Sequence, residues 1–320
     1  MIKNLMRYGA LLIGFEYTNS NTWKKLPGIS VDLYQVYRYT KNITKNILVF
    51  TDIDKDYNTS ILQRAILDGY VDSELLSFLE DIKDRKQYTK YISNQKGGYT
   101  TNNFDKTIQN FVKNLDRLVV YYSGHGKNGD VILPDNTHVS LSYLRQLLVD
   151  NVTTECQIVS ILDCCESNGM QLSYYYDPEY SIFKLYNSDT FMINNIICIS
   201  SSKNDEDSSA TRSGSLFTRM LFGYLYNNYN NNGNNKEHSK EHNKYILISD
   251  IKNGSNIYSS YPNNVLLFGW FTRSDHNNID ITIDNNNSII KIILNNSQPT
   301  IDKSSNVNEY LRYHHNGRYN

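Results

Sequence analysis

The chain has 320 residues, 39% of them hydrophobic, enough for one large α/β domain or two small ones with a real core. A formal net charge of −1 supplies no sequence-wide field for nucleic acid or for an acidic membrane surface. The four cysteines, Cys156, Cys164, Cys165 and Cys198, form no Cys-x-x-Cys pair, which argues against a disulfide framework or structural zinc and for a reducing cytoplasm.

Lys3 and Arg7 precede the short apolar run Tyr8–Phe15. Glu16 follows it and no small-x-small cleavage site appears, so it reads as a first core strand and not a secretory leader. No run approaches the ~20 apolar residues that span a bilayer. After Pro27-Gly28, the spacing predicts a helix over Ser30–Tyr39 with Ser30 as its N-cap. Ile47–Phe50 reads as a second strand. Ile61–Tyr91 reads as a charged, helix-patterned insertion, broken at Lys96-Gly97-Gly98. A helix is expected over Phe104–Leu115, with Ile108, Phe111, Val112 and Leu115 on one face.

The stretch from Leu118 to Cys165 carries the chemistry. Two short, uncharged, β-branched runs end in Ser123-Gly124-His125-Gly126 and in Asp163-Cys164-Cys165. Both read as strands buried on two faces of a parallel sheet. A hairpin around Pro134-Asp135-Asn136 and a helix over Leu141–Val149 lie between them, long enough for a crossover. A crossover places the two C-terminal strand ends side by side, at the edge where open α/β sheets bind ligands. An imidazole and a thiol then meet there, as a cysteine peptidase requires.

The remainder reads as a Tyr-, Asp- and Asn-rich loop over 168–194, a strand over Ile196–Ser200, a polar loop over 201–213 and a helix over Leu216–Tyr226. Residues 227–244 are low-complexity. Val265–Phe268 is expected as the last core strand, and the Asn-rich tail holds two apolar runs, Ile279–Ile283 and Ile289–Leu294, that can pair as a hairpin. The alternation of strands and helices implies an α/β fold with a mostly parallel sheet and helices on both faces.

Other readings compete at each motif. Gly124-His125-Gly126-Lys127-Asn128-Gly129 matches Gly-x-Gly-x-x-Gly, but a dinucleotide site needs a helix opening there, and Asp130–Pro134 reads as extended. His238 and His242 have a zinc-like spacing in a tract without further ligands. For His125 the bland reading is an inert strand-end histidine. Its flanking glycines favour the functional one, because they leave the Gly126 amide free to approach a substrate oxyanion together with the Cys165 amide. Strand alternation turns Asp163 and Cys165 one way and Cys164 the other, and pairs Ser123 with His125, so Cys165 is the expected nucleophile.

Tyr122-Ser123-Gly124-His125-Gly126 and Asp163-Cys164-Cys165-Glu166-Ser167 resemble the histidine and cysteine boxes of the metacaspases, within the caspase-like clan. Ala10–Gly14 with Leu26–Asp32, and Ile199–Glu206 with Gly214–Thr218, are similar to the family's first strand and turn and to the opening of its small subunit. The resemblance implies the caspase-like fold, with a large-subunit-like region over 1–172, a linker over 173–194, a small-subunit-like region over 195–272 and a tail over 273–320. It implies a monomeric endopeptidase using His125 and Cys165 on peptides with Arg or Lys at the cleavage site; because the first strand begins almost at once, no N-terminal prodomain is expected. Asp32, Ser123, Asp163 and Asp205 would line the pocket for that cation. For Asp32 the competing reading is a solvated acid in a first helical turn.

Departures from the family pattern carry expectations too. Glu166-Ser167-Asn168 replaces the usual His-Ser-Gly, and a carboxylate beside the thiol would raise its pKa. Ser140-Leu141-Ser142 and Leu172 stand where calcium-binding aspartates are expected, so no metal is expected and activity should not depend on calcium. Lys184 is a candidate autoprocessing site. The alternative is a caspase-like pseudoenzyme acting as a binding or regulatory module.

Overall fold

The structure is a computed structural model that describes residues 6–53, 63, 66–67, 73–84, 88–96, 99–177, 182–187, 194–203, 206–208, 210–211, 214–222, 256–260, 279–283 and 290–294. The chain divides into two units, Met1–Phe271 and Thr272–Asn320.

In the first unit the core is a nine-stranded sheet. Its strands are β1 (Tyr8–Gly14), β2 (Ile47–Thr51), β3 (Tyr88–Lys90), β4 (Arg117–Ser123), β5 (Gln157–Asp163), β6 (Tyr174–Asp177), β7 (Ile182–Leu185), β8 (Asn195–Ser200) and β9 (Asn256–Ser259). Four helices accompany them, α1 (Ile29–Thr40), α2 (Glu74–Asp84), α3 (Phe104–Val112) and α4 (Leu141–Val149), and residues 216–222 are also helical. The spatial order is β7-β6-β9-β8-β5-β4-β1-β2-β3. Pairing is parallel from β3 through β8 and antiparallel beyond it.

Side-chain alternation sorts the core into two layers. Leu12, Tyr121 and Ile161 pack with Val31 and Tyr34 of α1, Phe78 of α2 and Phe217. Leu11, Val120, Tyr122 and Leu162 pack on the other face with Ile108 of α3 and Leu144 of α4. Helices therefore cover both faces, as the apolar runs of the parallel strands require. Ser140 caps α4, its Oγ accepting the Tyr143 N–H at 3.1 Å. No helix among the described residues is long and apolar enough to cross a membrane.

The structure differs from the sequence reading in several places. The N-cap of α1 is Gly28, not Ser30, which lies inside the helix. A carboxylate from the end of β1 does part of the capping instead, because Glu16 Oε1 accepts the Ser30 N–H at 3.3 Å. The insertion contains α2 and then β3, which extends the parallel sheet beside β2. Ser93–Lys96 and Tyr99–Asn102 pair antiparallel on either side of the expected break. The segment read as a loop over 168–194 contains β6 and β7, paired antiparallel, where three tyrosines, Phe183 and Ile182 outweigh their polar neighbours. Among the described residues the last strand of the large sheet is β9, and the expected strand at Val265–Phe268 lies outside them. So do the low-complexity tract and its His238 and His242.

The second unit contains an antiparallel pair, Ile279–Ile283 with Ile290–Leu294, running from Ile279 opposite Leu294 to Ile283 opposite Ile290.

Candidate active site

Neighbouring parallel strands deliver the two boxes to one rim. Ser123 and Asp163 stand opposite each other at the ends of β4 and β5, so His125 and Cys165 each lie two residues past the last paired position. The loops beyond are in contact. A Cβ on Gly126 would meet the Cys165 carbonyl oxygen at 2.2 Å and Cys164 Sγ at 3.0 Å, so only glycine fits there. Glu166 ties the loops together: its carbonyl accepts the Gly129 N–H at 3.0 Å and its Oε2 the Asn128 N–H at 2.7 Å. Gly126–Lys127 and Asp130–Ile132 form an antiparallel pair, so no helix opens behind the glycines and the dinucleotide reading falls.

The His125 main chain is held by two buried phenols. Its N–H donates to Tyr17 Oη at 2.9 Å, and its carbonyl accepts from Tyr122 Oη at 2.8 Å. Tyr17 in turn donates to the Ile132 carbonyl at 2.6 Å. The imidazole lies between Tyr17 and Trp23, with ring centroids at 4.6 and 4.9 Å. Its Nε2 is 2.7 Å from the Lys24 carbonyl. A carbonyl only accepts, so Nε2 carries the hydrogen and Nδ1 keeps its lone pair. Burial lowers the His125 pKa, and the Lys24 carbonyl opposes that shift, so the ring is held neutral at pH 7. The Glu16–Tyr17 turn is fixed from below, where Asp52 Oδ1 and Oδ2 accept the N–H groups of Glu16 at 2.7 Å and Tyr17 at 2.9 Å.

The two thiols differ as alternation predicts. Cys164 is 2% exposed among apolar side chains, and burial drives its pKa far up. Cys165 is half-buried, with its Sγ accepting the Ser208 N–H at 3.3 Å. Its pKa is also raised, by burial first. The Ser208 amide opposes this, and Asp207 and then Glu166 add to it. Glu166 thus pushes in the expected direction but ranks behind burial and Asp207, because its carboxylate is turned to the Asn128 amide.

On the α1 side of the same strand ends lie two buried carboxylates. Asp32 is 1% exposed, which removes the solvated reading; its Oδ1 accepts the Ser215 N–H at 2.8 Å and its Oδ2 the Ser123 hydroxyl at 3.3 Å. Asp163 Oδ2 accepts from the hydroxyls of Ser215 and, at 2.5 Å, Thr218, while Oδ1 accepts from Ser208 at 3.0 Å. Burial raises both pKa values, and for Asp32 the nearby Asp163 charge adds to it. Asp32, Ser123 and Asp163 therefore come together, whereas Asp205 lies outside the described residues. Lys184 is exposed on β7, opposite Tyr175 of β6. Of the positions expected to have lost calcium ligands, Ser140 caps α4 and bonds the Ser142 hydroxyl at 3.0 Å, and Leu172 is buried in the core. Among the described residues no group of three or more His, Cys, Asp or Glu could hold a metal ion.

A family model of the caspase domain of the peptidase C14 family matches residues 7–247. The chain belongs to the caspase-domain family. Among solved structures it is similar to the crystal structure of caspase-1 from Spodoptera frugiperda, with 16% identity over 69% of each chain and a TM-score of 0.41. A comparison with curated protein sequences finds no match. The family is one of cysteine peptidases.

Sequence reasoning missed much of what surrounds the two boxes in this caspase domain. Tyr17 and Trp23 lie in a loop with no periodic signal, and the Lys24 contact is made by a carbonyl that any residue would supply. Asp52 and Ser208 act through main-chain amides across 35 and 43 positions of sequence respectively. Only Glu16 and Asp52, acids directly after apolar strands, carry a hint that a single sequence can show.

Proposed function

We propose that the chain is a cysteine endopeptidase of metacaspase type that cleaves after Arg or Lys with a His125–Cys165 dyad and without calcium. The observation that carries the reading is the pair of buried carboxylates, Asp32 and Asp163, one of them two residues before the half-buried thiol. Two acids in a dry pocket favour a guanidinium or ammonium over a neutral or acidic side chain. Burial raises both pKa values even against the hydroxyl and amide donors and, for Asp32, the Arg219 charge, so an incoming cation would favour the ionised form further. Ser123 orients Asp32, and Asp205 completes the pocket in this reading.

The Nε2-protonated tautomer leaves Nδ1 as the base. It takes the Cys165 proton, and the thiolate adds to the scissile carbonyl carbon. The oxyanion is stabilised by the N–H groups of Gly126 and Cys165. Collapse expels the amine, which receives the proton from His125, and leaves a thioester that water hydrolyses with His125 again as base. The substrates are peptide segments of proteins, not nucleic acid or membrane, and the enzyme is a cytoplasmic monomer. Lys184 would serve as an autoprocessing site once β7 is released from its pairing.

Hydrolysis of paired fluorogenic peptides differing only in Arg or Asp at the cleavage site, with and without a calcium chelator, tests this. Turnover of the Arg peptide alone, unchanged by chelator and absent in Cys165→Ala, is the expected result. Turnover lost on chelation would end the calcium claim, and preference for Asp would end the pocket assignment. The second reading, a pseudoenzyme that binds without cutting, is favoured by the raised Cys165 pKa and by the acids Asp207 and Glu166 beside it. Binding of an Arg peptide with no turnover at any pH would select it. N-terminal sequencing of wild-type and Cys165→Ala protein tests Lys184, and intact chains in both remove it.

A further inference from the structure

Ser208 touches both halves of the site at once. Its main chain lies on the thiol: the N–H donates to Cys165 Sγ at 3.3 Å, and the carbonyl stands 3.9 Å from the same sulfur. Its hydroxyl donates to Asp163 Oδ1 at 3.0 Å. Besides a partly buried Ser201 that also bonds Asp163, the other donors to this acid pair are part of the buried frame. Ser215 and Thr218, 3% and 0% exposed, hold Asp163 Oδ2, and the Ser215 N–H and Ser123 hydroxyl hold Asp32. Ser208 is less buried than these, and it follows the exposed residues Glu206 and Asp207. Of the donors on Asp163, it is the one whose main chain also lies on the Cys165 sulfur, and it can leave without dismantling the core.

We infer that Ser208 is a positioning residue that couples pocket occupancy to nucleophile exposure: a cation entering the pocket takes Asp163 Oδ1 from the Ser208 hydroxyl, and the Ser208 main chain then lifts from Cys165 Sγ. This rests on the proposed reading of the pocket as a site for a basic side chain. The physical basis is competition at one oxygen. A guanidinium brings a full opposite charge and two parallel N–H donors to the carboxylate, where the serine brings a single neutral donor, so it displaces the serine. The thiol amide and the acid hydroxyl belong to one residue, so the second contact is released with the first. A peptide lacking a basic side chain leaves the latch closed, and specificity then acts on thiol access as well as on binding.

The test measures alkylation of Cys165 by iodoacetamide in the full chain, with the modified residue mapped by mass spectrometry. The buried Cys156, Cys164 and Cys198 serve as internal controls. The probe is n-propylguanidine, an arginine side chain without its main chain, and its binding is followed separately by ligand-observed NMR. Saturating probe should speed Cys165 alkylation in the wild type by about ten-fold, the equivalent of ~1.4 kcal/mol, close to one hydrogen bond to a charged group. Ser208→Ala should react fast without probe and gain nothing from it, whereas Ser208→Thr, which keeps the hydroxyl, should respond as the wild type does. Probe that binds but leaves the wild-type rate unchanged or slower overturns the latch while the pocket assignment stands, as does equal acceleration in Ser208→Ala. No binding of the probe overturns the pocket assignment and the latch with it. The wild-type arm decides the matter even if Ser208→Ala does not fold.

Discussion

The ends of β4 and β5 are furnished differently on the two faces of the sheet. Toward α1 and residues 216–222 they present Ser123 and Asp163, which meet Asp32, Ser215 and Thr218 in a buried nest of carboxylates and hydroxyls. Toward α3 and α4 they present Tyr122 and Cys164, which meet Tyr17, Phe15 and Leu162 in a layer where the phenols bond each other and main-chain carbonyls. The first face holds charge at an energetic cost, as the raised pKa values of both acids show. The second presents no carboxylate at these strand ends, and its phenols Tyr17 and Tyr122 are hydrogen-bonded. Period-2 alternation thus assigns recognition to one face and positioning of the His125 loop to the other, while the thiol and ring lie just beyond both.

The sharpest way to break this division is to exchange the roles of the two cysteines. Cys165→Ala should lower kcat for an Arg peptide by ~10³-fold or more, the usual consequence of losing a nucleophile that acts with its base, and His125→Ala should match it. Cys164→Ala should leave kcat within a few-fold and lower the melting temperature, because it opens a small void in the apolar layer. Loss of turnover in Cys164→Ala with Cys165→Ala active would invert the face assignment.

The acid face makes the next prediction. Asp163→Asn should cut kcat/KM for an Arg peptide by ~10²- to 10³-fold, in line with the 2–5 kcal/mol that truncating one partner of a buried charge pair costs. The stability cost of the same substitution should shrink as pH rises. A carboxyl whose folded pKa is raised contributes stability below its unfolded pKa and loses that contribution as pH rises through the folded value. Substantial destabilisation together with unchanged specificity would make the nest a structural feature only. On the phenol face the expected effect is smaller. Tyr17→Phe removes the acceptor of the His125 N–H together with the donor to the Ile132 carbonyl, and should lower kcat about ten-fold with KM unchanged. A change in KM alone would move Tyr17 from positioning to binding.

How much of this was readable in the residues follows from range. Leu118–Ser123 and Ile158–Asp163 are legible because a strand buried on both faces needs an unbroken apolar run, and their registered ends bring Ser123 and Asp163 together. The preference for Cys165 over Cys164 needed only alternation. Ser30 was misread as a cap because the competing carboxylate, Glu16, comes from 14 residues away. β9 carries Asn256 and Ser259 in a four-residue strand, too short and polar for any periodic signal, and it exists because β6 and β8 flank it. The Lys24 carbonyl and the Ser208 amide are main-chain contacts, and no side-chain pattern encodes them.

The smallest effect expected concerns Glu16, whose main chain leads into Tyr17 and whose carboxylate caps α1. Glu16 is buried, its Oε1 accepts the Ser30 N–H, and its pKa rises from 4.5 to about 7, chiefly through burial and with Asp52 contributing. Below about pH 4.5 the group is protonated in the folded and unfolded chain alike, and its favourable contribution is fully present. As pH rises through about 7 the folded carboxyl ionises in a dry site and that contribution is lost. Between pH 6.5 and 7.5 the loss amounts to ~0.7 kcal/mol, or about 2 °C in melting temperature. His125 works the other way in this window, because its lowered pKa makes the folded state gain stability as pH rises. Raw melting curves therefore mix the two. The difference between wild type and Glu16→Gln isolates the carboxyl, since an amide oxygen still accepts from Ser30 and does not titrate. The wild type should lose stability relative to Glu16→Gln across that interval; if the difference stays flat instead, Glu16 is already ionised in the fold and the first turn of α1 is capped by a charge.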